Sequence, residues 1–446
     1  MSVVRQGDPS PSDGTVTGRR NGARPVELPI PRHPDTLVGG ALLLFYTGMF
    51  FVPLVDIRLT SQLAVGDALF GLAAVALLLS FRPPRRAPAT SAWYLGAAIV
   101  TVGGVIASFK AMSTVGSVKM VLEGVFVLVV WQWTARQLLD VPRRTQRAMA
   151  GYVFGATLSA ATAMAEQLLH VTFGLQAQKG EATRAVGLAQ QPNIAGITLA
   201  LGIVLVVGLI FARGFGRYNH RLFCLGVIAL GLMFTGSVSG MISALAGLVV
   251  LLLRRGIQLR RIVLAALILL GLYFGGTRLE GHAGRSNLNP FSRVAAATSQ
   301  TSGVNTVSPR IGTYKAAWAG IQNSPFVGHG LDGQTSLVYT SPLNHIPYPT
   351  HNFLLLLWYQ GGFLVLLGVI IVMGSAFRHA LRARRDLTTD TLMCGAIAVL
   401  VFSMQSPELF DRWLWVPFVL VMTMRRGFFG ASEDPAVATA PSAADA

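Results

Sequence analysis

The sequence predicts an all-α protein, a polytopic membrane helical bundle of about 12 transmembrane helices with a large extracytoplasmic loop before the tenth span. Three observations predict it. Hydrophobic residues make up 52% of the 446-residue chain, charged residues only 12%, and mean hydropathy is +0.55, the composition of a chain whose solvent is lipid. The apolar residues gather in runs near the ~20 that one crossing of a ~30 Å hydrocarbon core needs. Arginine clusters recur at alternate connections between those runs.

In order, residues 1–36 are rich in Pro, Ser, Gly and Arg and hold no apolar run, so they read as a disordered cytoplasmic tail and not as a signal peptide. Membrane helices 1–9 fill 37–276, with spans near 37–55, 62–81, 93–110, 113–133, 148–169, 194–212, 221–236, 238–253 and 261–276. The short links within 93–133 and 221–253 predict two tight helical hairpins. Residues 277–350 form the large loop, 351–430 carry helices 10–12 near 352–374, 391–405 and 412–426, and 431–446 form a second disordered tail. Most of the 36 basic residues fall at the N-terminal tail and alternate short loops. With positive charge retained inside, both termini are cytoplasmic and the two longer loops, 171–193 and 277–350, lie outside. The expected home is the cytoplasmic (inner) membrane.

A formal charge of +17 invites a nucleic-acid reading, but the cations are dispersed in short clusters between apolar runs, so no nucleic-acid partner is expected. Cys224 and Cys394 both lie within apolar runs, which leaves no disulfide framework and no metal motif. Within the large loop, Ser308-Pro309 reads as an N-cap and first-turn proline. Ile311, Tyr314, Trp318 and Ile321 follow at helical spacing and predict a short amphipathic helix over 310–322 lying on the membrane surface. Asn323-Ser324-Pro325 ends it, and Gly328-His329-Gly330 permits a compact turn. Lys119 and Glu123, four apart in the fourth span, are expected to pair. Glu408, Asp411 and Arg412 are expected to pair locally, and Glu166 to take buried hydrogen bonds.

Arg310 with Trp318 eight residues on, Ser324-Pro325, Gly328-x-Gly330, and His351-Asn352 before a leucine-rich span with Gly361-Gly362 together resemble the signature of the O-antigen ligase and polymerase superfamily. Arg184-Ala185-Val186-Gly187 and Gln191-Pro192-Asn193 resemble that family's earlier outer loop. The resemblance implies transfer of a glycan from undecaprenyl pyrophosphate to an acceptor hydroxyl, with the lipid bilayer as setting and no cofactor or obligatory metal. The acceptor is a glycolipid, polysaccharide or protein, and the product either a ligated glycan or a polymer of surface repeat units. Such chemistry needs a base near neutrality and fixed positive charge for the leaving diphosphate. The resemblance assigns the first role to His351. It gives substrate binding to Arg184, Arg310, Lys315, Asn193, Asn352, Gly328 and Gly330. The plainer reading of His351 is a helix-capping interfacial residue, and of Arg310 and Lys315 interfacial cations. Thr235-Gly236-Ser237-Val238-Ser239-Gly240 departs from the family's pattern, since Val238 stands where an arginine is common. The rival readings are a transporter or flippase for a lipid-linked or anionic substrate, and a catalytically silent envelope scaffold.

Overall fold

The computed structural model describes residues 33–59, 63–80, 90–169, 171, 173, 185–212, 217–257, 307–340, 347–383, 386–407 and 409–424. Arg184, His170, His282, His345, Glu408, the span expected at 261–276 and almost all of both tails lie outside these residues.

The described chain is mostly helical. The helices are α1 (His33–Phe51), α2 (Val65–Leu79), α3 (Ser91–Ser108), α4 (Thr114–Val125), α5 (Gln132–Leu138), α6 (Pro142–Leu169), α7 (Pro192–Phe211), α8 (Tyr218–Thr235) and α9 (Val238–Arg254). After the gap come α10 (Val307–Asn323), α11 (Phe353–Arg382), α12 (Leu387–Ser403) and α13 (Arg412–Val421). A small hairpin pairs β1 (Tyr339–Thr340) with β2 (Pro347–Tyr348). Among the described residues six helices are long and apolar enough to cross a membrane, and five shorter apolar ones run beside them. All eleven coincide with expected spans, and the protein is a multi-pass membrane protein.

α4 and α5 form one continuous rod, joined through a π-helical stretch, Phe126–Trp131. The wider turn frees the Leu128 carbonyl, which accepts the indole N–H of Trp93 at 2.7 Å and ties the rod to α3. α7 is the central helix, 83% buried. Small residues let backbones approach where lipid supplies no hydrophobic drive. Gly96 of α3 faces Gly368 of α11, and Gly196 of α7 faces Gly240 of α9.

Three expectations need correction. The 221–253 pair turns tightly at Gly236, which is left-handed at φ 59°, but its helices then splay: α8 packs on α6 and α7, while α9 packs on α7 and α12. The cause is the small-residue seams of Gly231 on Ala160 and Gly247 on Ala398, which draw the two helices to different neighbours. The start of α10 also differs from expectation. The helix begins at Val307, so Ser308 and Pro309 lie inside its first turn. Its buried face is Thr313, Ala317 and Ile321, and the apolar Ile311 and Trp318 are about half exposed.

The third correction concerns the tenth span, which is not continuous. Gly362 sits at φ 68°, ψ −175° and divides α11 into a short leading helix and a long one. The break frees the Gln360 carbonyl, which accepts the backbone N–H groups of His329 (3.0 Å) and Gly330 (2.8 Å), while Phe363 donates to the Pro325 carbonyl (2.9 Å). The loop turn at 325–330 therefore completes the hydrogen bonding of the broken helix, as any irregular backbone at membrane depth requires. Gly362→Ala would place a Cβ against the Phe326 carbonyl at a left-handed φ. We expect a loss of about 1–3 kcal/mol in thermal unfolding, with faster proteolysis of the 325–330 turn than in the wild type.

Candidate active site

His351 stands two residues before α11. Asn352 takes the capping role: its extended backbone (φ −156°) lets Oδ1 accept the Leu355 N–H at 2.9 Å, the usual N-cap geometry. The imidazole is thereby left out of the cap. Its Nδ1 lies 2.9 Å from the Pro349 carbonyl. A carbonyl only accepts, so Nδ1 carries the hydrogen and Nε2 of the neutral ring keeps its lone pair. Burial holds the imidazole below its usual range, and the charge of Arg310 adds to this against the opposing hydrogen bond to Pro349. A neutral ring with a free Nε2 is the state a general base needs near pH 7.

α10 supplies the neighbours. Arg310 and Tyr314 are four apart and share one helix face. The Tyr314 hydroxyl donates to the His351 carbonyl at 2.9 Å, while Arg310 is close enough to act on the ring electrostatically. Sequence periodicity had counted Tyr314 as a stripe residue; its role as the brace of the His351 backbone had no local signal. Tyr314→Phe should cost about 0.5–1.5 kcal/mol in unfolding free energy and, if His351 acts on substrate, lower turnover more than substrate affinity. Lys315 is exposed on the same helix.

Gly328 (φ 75°) and Gly330 (φ 108°) both lie in the docked turn. Gly328 abuts the Gln360 carbonyl and Gly330 abuts Ala111 in the α3–α4 link, so their bareness serves loop docking. The loop reaches further onto that link and into α4: Lys110 Nζ donates to Ser324 Oγ (3.1 Å), and Leu331 N–H donates to Ser117 Oγ (2.9 Å). Asp332 accepts from the Gln334 and Thr335 backbone N–H groups, each at 2.9 Å. Burial opposes ionisation of Asp332, but the hydrogen bonds from Thr335, Ser113 and Gln334 outweigh it and hold the carboxyl below its usual range. His329 stacks on Tyr359 at 4.6 Å and pairs through Nε2 with the Gly320 carbonyl at 2.9 Å, a packing role.

Asn193 belongs to a second group at the first turn of α7, where Ser237 Oγ donates to Asn193 Oδ1 at 3.4 Å. The two early motifs thus meet. Gly236 is the left-handed cap of α8, Ser237 caps α9 by accepting the Gly240 N–H at 3.2 Å, and Val238 opens α9. Glu166 braces this loop, accepting from Val186 and Gly187 N–H (both 2.8 Å) and from Phe173 N–H (3.0 Å). That is the buried hydrogen bonding expected of it, and it fixes the chain immediately after Arg184. Glu123 pairs with Arg412 at 3.5 Å and not with Lys119; Arg412 also holds Asp67 at 2.6 Å. The local pairing expected of Arg412 is therefore corrected too, since a buried guanidinium fork reaches carboxylates that a neighbour in sequence cannot present. Among the described residues no group of three or more His, Cys, Asp or Glu is placed to hold a metal.

The structure of this multi-pass membrane protein brings His351, at the opening of a broken helix, within electrostatic reach of Arg310. The stretch 222–370 is similar to the family described as O-antigen ligase, whose model it matches. It holds Arg310, Gly328, Gly330, His351 and Asn352, and it supports a general role in glycan transfer. No curated protein matches the chain.

Proposed function

We propose that the protein transfers a glycan from an undecaprenyl-pyrophosphate carrier to an acceptor hydroxyl at the outer face of the cytoplasmic membrane. The observation that carries this reading is a His351 whose Nδ1 is taken by the Pro349 carbonyl, leaving Nε2 for substrate, within electrostatic reach of Arg310 on the adjacent helix. The acceptor oxygen attacks the anomeric carbon, its proton passes to His351 Nε2, and the glycosyl–phosphate bond breaks with inversion. The diphosphate leaves with the electron pair. Arg310 stabilises the charge that develops on it, with Arg184 and Lys315 as further cations, the kind of electrostatic help that is often the largest contribution. Asn193 and Asn352 flank the bound substrate, and Gly328 and Gly330 keep the loop close to α11. Neither a metal nor another cofactor has a step in this scheme.

The break at Gly362 is a feature a transporter reading could use, because transporters often carry interrupted helices around a mid-membrane site. Here the freed carbonyl is taken up by the 325–330 turn, which favours a fixed loop over a moving gate. Val238 leaves the silent-scaffold reading to experiment. Purified protein in nanodiscs is given undecaprenyl-pyrophosphate glycan and candidate acceptors, and release of undecaprenyl diphosphate is followed. Release dependent on acceptor and on His351 supports transfer; movement of intact donor across the membrane, without release, supports transport and sinks the proposal.

A further inference from the structure

A glycine inside a helix weakens it relative to alanine, and α10 carries two, each with a tyrosine ring laid on it. Gly312 and Gly320 are two i, i+4 steps apart with Ala316 between them, so the three form one row of small residues along the helix. The ring of Tyr339, in β1, lies so close to Gly312 that a Cβ built there would stand 2.6, 2.8 and 2.9 Å from three of its atoms. The ring of Tyr359, in the leading part of α11, covers Gly320 in the same way. Neither tyrosine has a step in the proposed transfer.

The two contacts do different things. Near Gly320 the helix is bound to α11: the Gly320 carbonyl accepts from His329 Nε2 at 2.9 Å, His329 stacks on Tyr359 at 4.6 Å, and Trp318 meets Trp358 edge-on at 5.7 Å. That end is fixed. Near Gly312 the contact closes a circuit through the hairpin. Tyr339 is paired with Tyr348, the chain runs from Tyr348 through Pro349 and Thr350 into His351, and the His351 carbonyl returns to α10 by accepting the Tyr314 hydroxyl at 2.9 Å. Gly312 lies between Arg310 and Tyr314 in the sequence, so the first turns of α10 and the backbone of His351 are held against each other at two points of one ring of contacts.

We propose that Gly312 and Tyr339 are positioning residues: the bare backbone at 312 and the ring laid on it set how near the first turn of α10, and with it Arg310, comes to His351. A side chain at 312 cannot share that space with the ring. With the far end of α10 fixed at Gly320, the helix tilts about that end and carries Arg310 away from the imidazole, because close packing passes a displacement on instead of absorbing it. The titratable groups around the ring are Arg310 and Tyr314 of α10 and, along the chain, Tyr348. Of these Arg310 carries the charge that acts on the ring, and it disfavours the imidazolium. The inference rests on the transfer reading for its consequence in turnover, and not for the geometry it describes.

The test uses the full chain in nanodiscs with isotope-labelled histidine, and follows protonation of His351 by NMR titration, its signal identified by its loss in His351→Ala. Arg310→Gln supplies the reference, a His351 pKa that rises once the guanidinium is gone. Gly312→Leu is expected to raise that pKa toward the Arg310→Gln value. Adding Tyr339→Ala, which empties the space the leucine needs, should bring it back toward wild type. If Gly312→Leu does not fold, Gly312→Ala is read in its place, with a smaller rise and the same reversal. The proposal is overturned if the pKa in the glycine variant stays at the wild-type value, if Tyr339→Ala does not reverse its rise, or if Arg310→Gln leaves it unmoved. Release of undecaprenyl diphosphate by the same proteins keeps this claim apart from the one it rests on. Release that requires His351, with no pKa shift in the glycine variant, sinks the positioning and leaves transfer standing; a reversible shift in protein that releases nothing does the opposite.

Discussion

His351→Ala is expected to slow undecaprenyl-diphosphate release by ~10²–10⁴-fold, the usual contribution of a positioned base, with Tm nearly unchanged. The separation of the two effects follows from the local structure. The cap of α11 is the Asn352 side chain, and the imidazole makes one described hydrogen bond, to the Pro349 carbonyl. Losing such a bond costs about 0.5–1.5 kcal/mol, too little to unfold the junction while Tyr314 still holds the main chain at 351. Measured together, turnover and Tm decide the matter: a variant that loses activity only in proportion to its folded fraction would return His351 to a structural role.

Arg412→Gln should have the largest effect on stability. Its guanidinium holds Asp67 at 2.6 Å and Glu123 at 3.5 Å, with side-chain exposures of 19%, 5% and 25%. Removing the guanidinium that both carboxylates share leaves buried charge uncompensated, which typically costs about 3–5 kcal/mol. The consequence should be a large fall in Tm and poor recovery from detergent. Adding Asp67→Asn and Glu123→Gln to the variant removes the stranded charges and should restore much of the loss, since a neutral cluster can be as stable as the ion pair it replaces. A variant Tm within about 1 °C of wild type, roughly what a surface substitution gives, would show that the three residues do not form one unit.

The helix positions were legible because a lipid solvent imposes run length and charge asymmetry directly on sequence. What could not be read was long-range. The Gly361-Gly362 pair looked like an ordinary pair in a span, and only the docking of residues 325–330 shows that Gly362 ends a helix. Glu123 had a cation one helical turn away in Lys119, yet its partner is Arg412, far along the chain, because the first turns of α2 and α13 meet the α4–α5 rod there. His351 and Arg310 were found through family likeness and not through periodicity. Tyr314, which braces the His351 backbone, carried no motif of its own.

The pH dependence of kcat/KM, measured on wild type and Arg310→Gln, tests the central claim most directly, because it reports the protonation state of the free enzyme's base. Burial and the Arg310 charge both hold His351 below its ordinary value of about 6.5, so the acid limb of wild type should fall below that value. Removing the guanidinium charge stabilises the imidazolium, so the limb of Arg310→Gln should move to higher pH, whatever the loss in diphosphate binding does to its height. An acid limb that stays in place in Arg310→Gln, or that persists in His351→Ala, would contradict a neutral His351 acting as base beside Arg310.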